Sequence, residues 1–445
     1  MTVDGTEYIP PRTQSPAKLV ACFIFACIAA ASMWSYVDWI LVGHQIADAA
    51  AHDRPRGNLS DLYPRWLGAR ELLLHHRNPY SDEITLEIQQ GYYGRVLDSA
   101  RPDDPKDQQG FAYPVYVVFL LSPLIQFPFH NVQIFFFWLL IFLTAASVWL
   151  WLRALRWQLP LVGVATCIVF TLGSFPAVQG IKLQQLSLLA AAILAGSAAC
   201  VASGFLLAGG ALLALATIKP QLAWPLVAWL LFWAICNWRA RRKLVYGFGV
   251  GMALLLGGAE IVLPGWWRMF AAAVGKYHRY TQNQSVLDEL LPGVYTGKIA
   301  AVAAVLGCVW LVWKFRNKPV GEAGFGMAIA LITALTVLIV PMYAPYNQVL
   351  LLPAVLAITR DRTSLSHSRS IRFVYAAGVI ALAWQWLASL SLIAIFFFLP
   401  TLALTAWKWP IFSTFAIPVL VFALIFIDVL RQPEVQELRK QGVEH

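Results

Sequence analysis

NVQIFFFWLLIFLTAASVWLWL, residues 131–152, carries no charged side chain from end to end. A helix rises about 1.5 Å per residue, so about 20 apolar residues cross the ~30 Å hydrocarbon layer of a bilayer. The stretch has that length and predicts a spanning helix. Working outward, comparable runs occupy 19–42, 159–176, 185–202, 205–218, 221–237, 244–263, 297–313, 323–340, 345–359, 373–398 and 410–430. The whole chain agrees: 445 residues, 59% hydrophobic and 13% charged, with a mean hydropathy of +0.64. The runs are helix-length, whereas barrel strands are about half as long. The fold class is therefore an all-α polytopic membrane protein with about twelve crossings.

Phe111–Phe129 is short for a span and carries Pro114, Pro123 and Pro128. Reading it as partly re-entrant makes 111–129 and 131–152 one net crossing. The basic clusters then fall on one side, which the positive-inside rule makes cytoplasmic: Arg153/Arg156, Arg239–Lys243, Lys314–Lys318, Arg360–Arg372 and Arg431–Lys440. The same clustering accounts for the formal net charge of +10, so a nucleic-acid partner is not indicated. The six cysteines lie within or at the edge of apolar runs, which argues against a disulfide framework and a zinc site. Residues 1–17 and 432–445 read as cytoplasmic tails flanking one membrane domain, 18–431. Its extracytoplasmic loops are 44–110 and 264–296.

The first of these loops holds DLYPRWLGARELLLHHRNPY, Asp61–Tyr80. Leu62, Trp66, Ala69 and Leu73 recur at helical spacing, with Arg65, Arg70, Glu71 and His75 on the other faces. The pattern predicts a short amphipathic helix at the membrane surface, with Ser60 or Asp61 as cap and Pro64 tolerated in its first turn. A second helix is expected over Asp82–Val96. Asp61 has two readings: a helix cap, or a general base tuned by partial desolvation.

Lys219, in ATIKPQLAW, is a cation at a Pro-broken junction between apolar runs. It either snorkels or holds a lipid phosphate. Lys182, in QGIKLQQL, raises the same question, and Gln184 and Gln185 beside it could satisfy backbone groups or sugar hydroxyls. The segment KYHRYTQNQSVLDELLPG, Lys276–Gly293, offers Tyr277, His278, Asn283 and Gln284 either as a carbohydrate-facing surface or as an interfacial aromatic belt. Tyr346 and Asn347 fall on the same side in this topology and join the sugar- or acceptor-binding candidates. No metal site is predicted. His75 and His76 are helix neighbours that face apart, and His44 and His52 lack an acidic cluster.

In order and spacing, DLYPRWLGARELLLHHRNPY, FAYPVYVVFLLSPLIQFP, QGIKLQQLSLLAAAIL, AGGALLALATIKPQLAWPLVAWLL, NQSV and YAPYNQVLLLPAVL resemble the membrane glycosyltransferases of family 87, over roughly residues 18–360. The resemblance implies a C-type glycosyltransferase bundle with short helices in its first extracytoplasmic loop. By it, Asp61 matches the loop-one aspartate proposed as base, and Lys219 matches a Lys-Pro element. The family's Gly-Gln before a span is altered, since Gln184 follows Leu183 with Gly180 displaced.

The expected reaction is transfer of a hexose, mannose foremost, from a polyprenyl-phosphate-sugar donor to a hydroxyl of a glycolipid, polysaccharide or protein. It would proceed by one inverting displacement at the extracytoplasmic face of a bacterial inner membrane. Lys219, with Lys182 or Arg65, would hold the donor phosphate. No cofactor is implied beyond that donor, and the remaining partners are membrane lipids. A transporter or flippase of lipid-linked sugars is the alternative. Against it, no pair of interrupted segments recurs symmetrically in the two halves.

Overall fold

A computed structural model describes residues 16–55, 60–98, 100–281, 284–341, 343–361 and 369–432. Every regular element among them is helical. The chain opens with α1 (Pro16–Ser35), which continues through one π-helical turn (Tyr36–Leu41) into α2 (Val42–Ala51). The first loop carries α3 (Tyr63–His75) and α4 (Asp82–Tyr93), and α5 (Val117–Leu121) follows. The membrane-length α6 (Phe129–Ala154) comes next, then α7 (Leu161–Leu172), α8 (Phe175–Lys182), α9 (Leu186–Ala202), α10 (Leu206–Ala216), α11 (Pro220–Cys236) and α12 (Trp238–Val262). The second loop holds α13 (Trp266–Thr281) and α14 (Val286–Leu290). The chain continues with α15 (Thr296–Lys314), α16 (Ala323–Ile339), a 3-10 turn (Pro345–Leu351), α17 (Leu352–Arg360), α18 (Arg369–Phe398), α19 (Pro400–Thr405) and α20 (Ala416–Leu430).

Among the described residues, six helical segments are long and apolar enough to cross a membrane: Pro16–Ala51, Phe129–Ala154, Trp238–Val262, Thr296–Lys314, Arg369–Phe398 and Pro400–Leu430. A seventh arises if α7 and α8, bent by 60° at their junction, count as one broken span. The protein is a multi-pass membrane protein, and the expected twelve crossings exceed what helix length alone supports.

The difference lies in what surrounds the apolar runs. α9, α10, α11 and α16 are shorter than a full span. Residues 324–338 of α16 are buried throughout, and α9 is buried along most of its length. An apolar run reads the same whether lipid or protein surrounds it. Large apolar side chains lie exposed on the outer helices, including Phe142 of α6, Leu254 and Ile261 of α12 and Phe398 of α18. A hydrocarbon surround gives such surfaces no reason to bury themselves.

Small residues set the closest helix crossing. A Cβ at Gly210 of α10 would run into the backbone of Leu244, and one at Gly247 of α12 into the backbone of Leu207. The α10 and α12 backbones therefore touch, in the small-residue packing typical of membrane bundles.

The loop elements differ in detail from their expected limits. The first helical run reaches Ala51, past the expected loop start at 44. Ser81 caps α4, accepting from Ile84 N at 3.3 Å, and Gly94 (φ +79°) ends it. Up to the start of α6 at Phe129, the stretch from Phe111 contains only the short α5 and a 3-10 turn, with Phe111, Tyr113, Val115, Val117 and Val118 buried. Its prolines, together with burial inside the protein, explain why so apolar a stretch forms no long helix.

Candidate active site

α3 brings Asp61 to the bundle in an unexpected way. The helix starts at Tyr63, with no side-chain cap, and Pro64 sits in its first turn. Leu62, Trp66 and Ala69 are buried beneath it, while Leu73 is half-buried. Asp61 does not cap the helix, which corrects that expectation. Its backbone N–H bonds Leu183 O at 2.9 Å, and its carboxylate accepts a hydrogen bond from the side-chain amide of Gln185.

Gln185 is the hinge of the site. Gln184 occupies the left-handed region (φ +48°), a conformation costly for a side chain other than glycine. That single turn folds the Gln184 side chain back on its own segment, where Nε2 donates to Ile181 O (3.0 Å) and Lys182 O (2.8 Å). Gln133 of α6 donates to Gln184 Oε1 at 3.3 Å. The next residue, Gln185, is thereby swung toward Asp61. Gln184 thus satisfies backbone groups, one of its two expected roles, and the side chain that reaches Asp61 and Lys219 is that of Gln185.

Lys219 lies at the break between α10 and α11, where Pro220 starts the second helix. Its ammonium is buried and donates to Ser187 Oγ and to Gln185 Oε1, the latter at 3.4 Å. It stands 5.2 Å from the centre of the Tyr346 ring, within cation–π range. Ser187 passes the network on to Asn347 Oδ1 at 2.9 Å. Gly180 makes this convergence possible, because a Cβ there would collide with Leu188 and crowd Tyr346.

Arg65 completes the cluster. It donates to the backbone O of Asp61 at 2.6 Å and sits 4.6 Å over the Tyr113 ring. Tyr113 is buried and lies beside both cations. Burial pushes the Asp61 carboxyl above the usual carboxylate range. The Arg65 cation opposes that shift, and Asp107 adds to it. Lys219 and the Gln185 hydrogen bond also favour the ionised form.

The other expected site residues are distributed unevenly. Lys182 is turned aside, paired with Asp38 at 2.6 Å and stacked 5.3 Å over Trp34. Tyr277, half-buried on α13, faces the cluster closely enough that Asp107, Arg65, Tyr113 and Asp61 all act on its phenol. His278 is half-buried on the same helix. Gln284 is exposed, and its backbone O accepts from Tyr343 N at 3.0 Å. Asn283 lies outside the described residues. Among the described residues, no group of three or more His, Cys, Asp or Glu side chains gathers to hold a metal.

A carboxylate and a buried ammonium held by the two ends of one amide can separate the roles of base and anion support. The family model described as glycosyltransferase family 87 matches residues 111–341, just over half the chain. The chain belongs to glycosyltransferase family 87. No curated protein and no solved structure matches it. Family membership makes the protein a membrane glycosyltransferase, with a sugar donor and an acceptor as substrates. Gln185, Ser187, Lys219 and the buried Tyr113 all fall inside the matched region, whereas Asp61 and Arg65 lie before it. The family-87 segment thus supplies Lys219 and the amide that joins it to Asp61, and the first loop supplies the carboxylate and the Arg65 cation.

Proposed function

We propose that this family-87 protein transfers a hexose, mannose foremost, from a polyprenyl-phosphate donor to an acceptor hydroxyl, with inversion, at the extracytoplasmic face. The observation that carries the reading is the Gln185 side chain, bonded to Asp61 at one end and to Lys219 at the other. Inversion in a single displacement needs a base on one side of the anomeric carbon and charge stabilisation for the phosphate leaving on the other. Asp61, with its carboxyl raised by burial, deprotonates the attacking hydroxyl. Lys219 and Arg65 hold the departing phosphate, so its negative charge meets preorganised cations. The Tyr113 and Tyr346 rings keep both cations in place by stacking.

The lipid chain of such a donor suits a site set among apolar helices. The basic clusters at 153–156, 239–243 and 314–318, assigned to the cytoplasm, support the extracytoplasmic placement of the first loop. Asp61→Asn is the test, with purified protein, polyprenyl-phosphate-mannose and release of polyprenyl phosphate as the readout. Transfer falls by about 10³-fold or more if Asp61 is the base. Transfer at the wild-type rate overturns the assignment.

A further inference from the structure

Beside the Asp61 cluster lies a cleft of about 360 Å³ between the first loop and α13. Its walls include Asn78, Thr85, Gln108, Lys276 and Tyr277. The structure assigns this cleft as the acceptor subsite, shaped for the hexose end of a glycan or glycolipid. This rests on the proposed transfer at Asp61 and names the class of molecule that brings the hydroxyl.

Four observations carry it. First, the volume is near the small end of ligand pockets, about 300–1,000 Å³, which suits a mono- or disaccharide. Second, the lining mixes the groups that a polyol needs. Thr85 Oγ1 donates to Ser81 O at 3.0 Å and keeps its lone pairs for an incoming hydroxyl. Gln108 Oε1 accepts from Gln89 at 2.8 Å, which leaves the Gln108 amide as a donor. Tyr277 adds a ring of the kind that packs on sugar C–H groups.

Third, the cleft adjoins the chemistry through Tyr277. That residue lines it and also lies within electrostatic reach of Asp61, Arg65 and Tyr113. A hydroxyl entering past Tyr277 comes in on the side of the first loop, within electrostatic reach of Asp61.

Fourth, one wall is lightly held. Among the described side chains of α13 only Trp266 is buried. The helix is tied to the first loop by the Lys276–Asp82 ion pair (2.8 Å) and by Asn78 Nδ2 on Met269 Sδ (3.2 Å). Both tied side chains of that ion pair are more than half exposed, and such pairs contribute little stability. The wall can therefore open for an acceptor carried on a lipid and close over its sugar.

The experiment uses the full chain in lipid nanodiscs with Thr85→Cys as a reporter. Alkylation by a water-soluble maleimide is followed over the wild-type background. The probes are methyl mannoside, methyl glucoside and methyl galactoside, each up to about 100 mM, because a small saccharide alone binds weakly. At least one probe should slow labelling of Thr85→Cys by about fivefold or more, saturably, corresponding to about 1 kcal/mol of protection. Polyprenyl phosphate alone should leave the labelling rate unchanged. Adding Asp61→Asn should preserve the saccharide protection, so loss of catalysis by that variant and occupancy of the cleft are read separately.

In turnover, Thr85→Trp should raise the acceptor KM about tenfold with little change in donor KM. Unprotected labelling with all three sugars overturns the proposal. So does protection by polyprenyl phosphate, which would make the cleft a donor site. An acceptor KM within twofold of wild type in Thr85→Trp overturns it as well.

Discussion

The carboxylate of Asp61 accepts its hydrogen bond from Gln185, 124 positions along the chain, and leaves its own helix uncapped. A helix start that gives up its best capping acid loses about 1 kcal/mol of local stability. What it gains is a carboxylate fixed against the turn that also holds Lys219.

Gln185 is accordingly the most informative position to change. Gln185→Leu removes both hydrogen bonds while keeping the volume, and it should lower kcat by about 10²-fold through misplacement of Asp61 and Lys219. Gln184→Asn keeps a residue tolerant of the left-handed conformation and should change kcat by less than about threefold. Comparing the two in one assay tests which glutamine serves the site; equal losses would contradict the geometry.

Asp61 should set the acid limb of the pH–rate profile. A base must be ionised, so kcat/KM should fall as pH drops through a value above the ordinary aspartate pKa of about 3.9. Asp107 raises the Asp61 carboxyl, so Asp107→Asn should shift the limb to lower pH. Arg65 lowers it, so in the residual activity of Arg65→Gln the limb should move to higher pH. Shifts of the opposite sign would show that another group governs the limb.

The same burial predicts a conflict between stability and activity. A carboxyl whose folded pKa lies above its unfolded one stabilises the fold fully below the unfolded value. That contribution is lost as pH rises through the folded pKa. Above that folded pKa the ionised, partly desolvated Asp61 is therefore a cost, and there Asp61→Asn should raise the apparent Tm by about 2 °C or more while transfer collapses. The gain should vanish in acid, where wild-type Asp61 is protonated. Thermal scans at neutral and acid pH, on protein in one detergent, check this.

Lys219 should not tolerate arginine. Its ammonium fits between Ser187 Oγ and Gln185 Oε1 over the Tyr346 ring, a site sized for a point charge. A planar guanidinium would displace one of these partners. Lys219→Arg should lose more than about tenfold in kcat although the charge is kept. Near-wild-type turnover would mean that only the charge matters there.

Gly210→Ala tests the bundle apart from its chemistry. The added Cβ meets backbone atoms of α12, which cannot rotate away, so the helices must part at a cost of about 1–3 kcal/mol. The apparent Tm should fall, with the acceptor and donor KM values of the surviving enzyme unchanged. A Tm equal to wild type would show that α10 and α12 separate without loss.

The sequence by itself determined the membrane class and the helical content, and it singled out the first-loop helix, Asp61 and Lys219 as candidates. Each rests on a local property: the length of an apolar run, a pattern of helical period, or a charge that is expensive where it sits. The crossing count was not local, because α9 and α16 are apolar for burial in protein and the outer helices for contact with lipid. Nor was the division of labour between Gln184 and Gln185. Two adjacent amides are chemically identical, and only a left-handed turn at Gln184, held by backbone carbonyls, aims the second at Asp61. Lys182 and Lys219 look alike in the same way, yet Asp38 engages the first, while the packing that Gly180 permits sets Tyr346 beneath the second. Tertiary structure decided these pairings because a hydrogen bond depends on ångström-scale placement of segments more than a hundred residues apart, which no local pattern encodes.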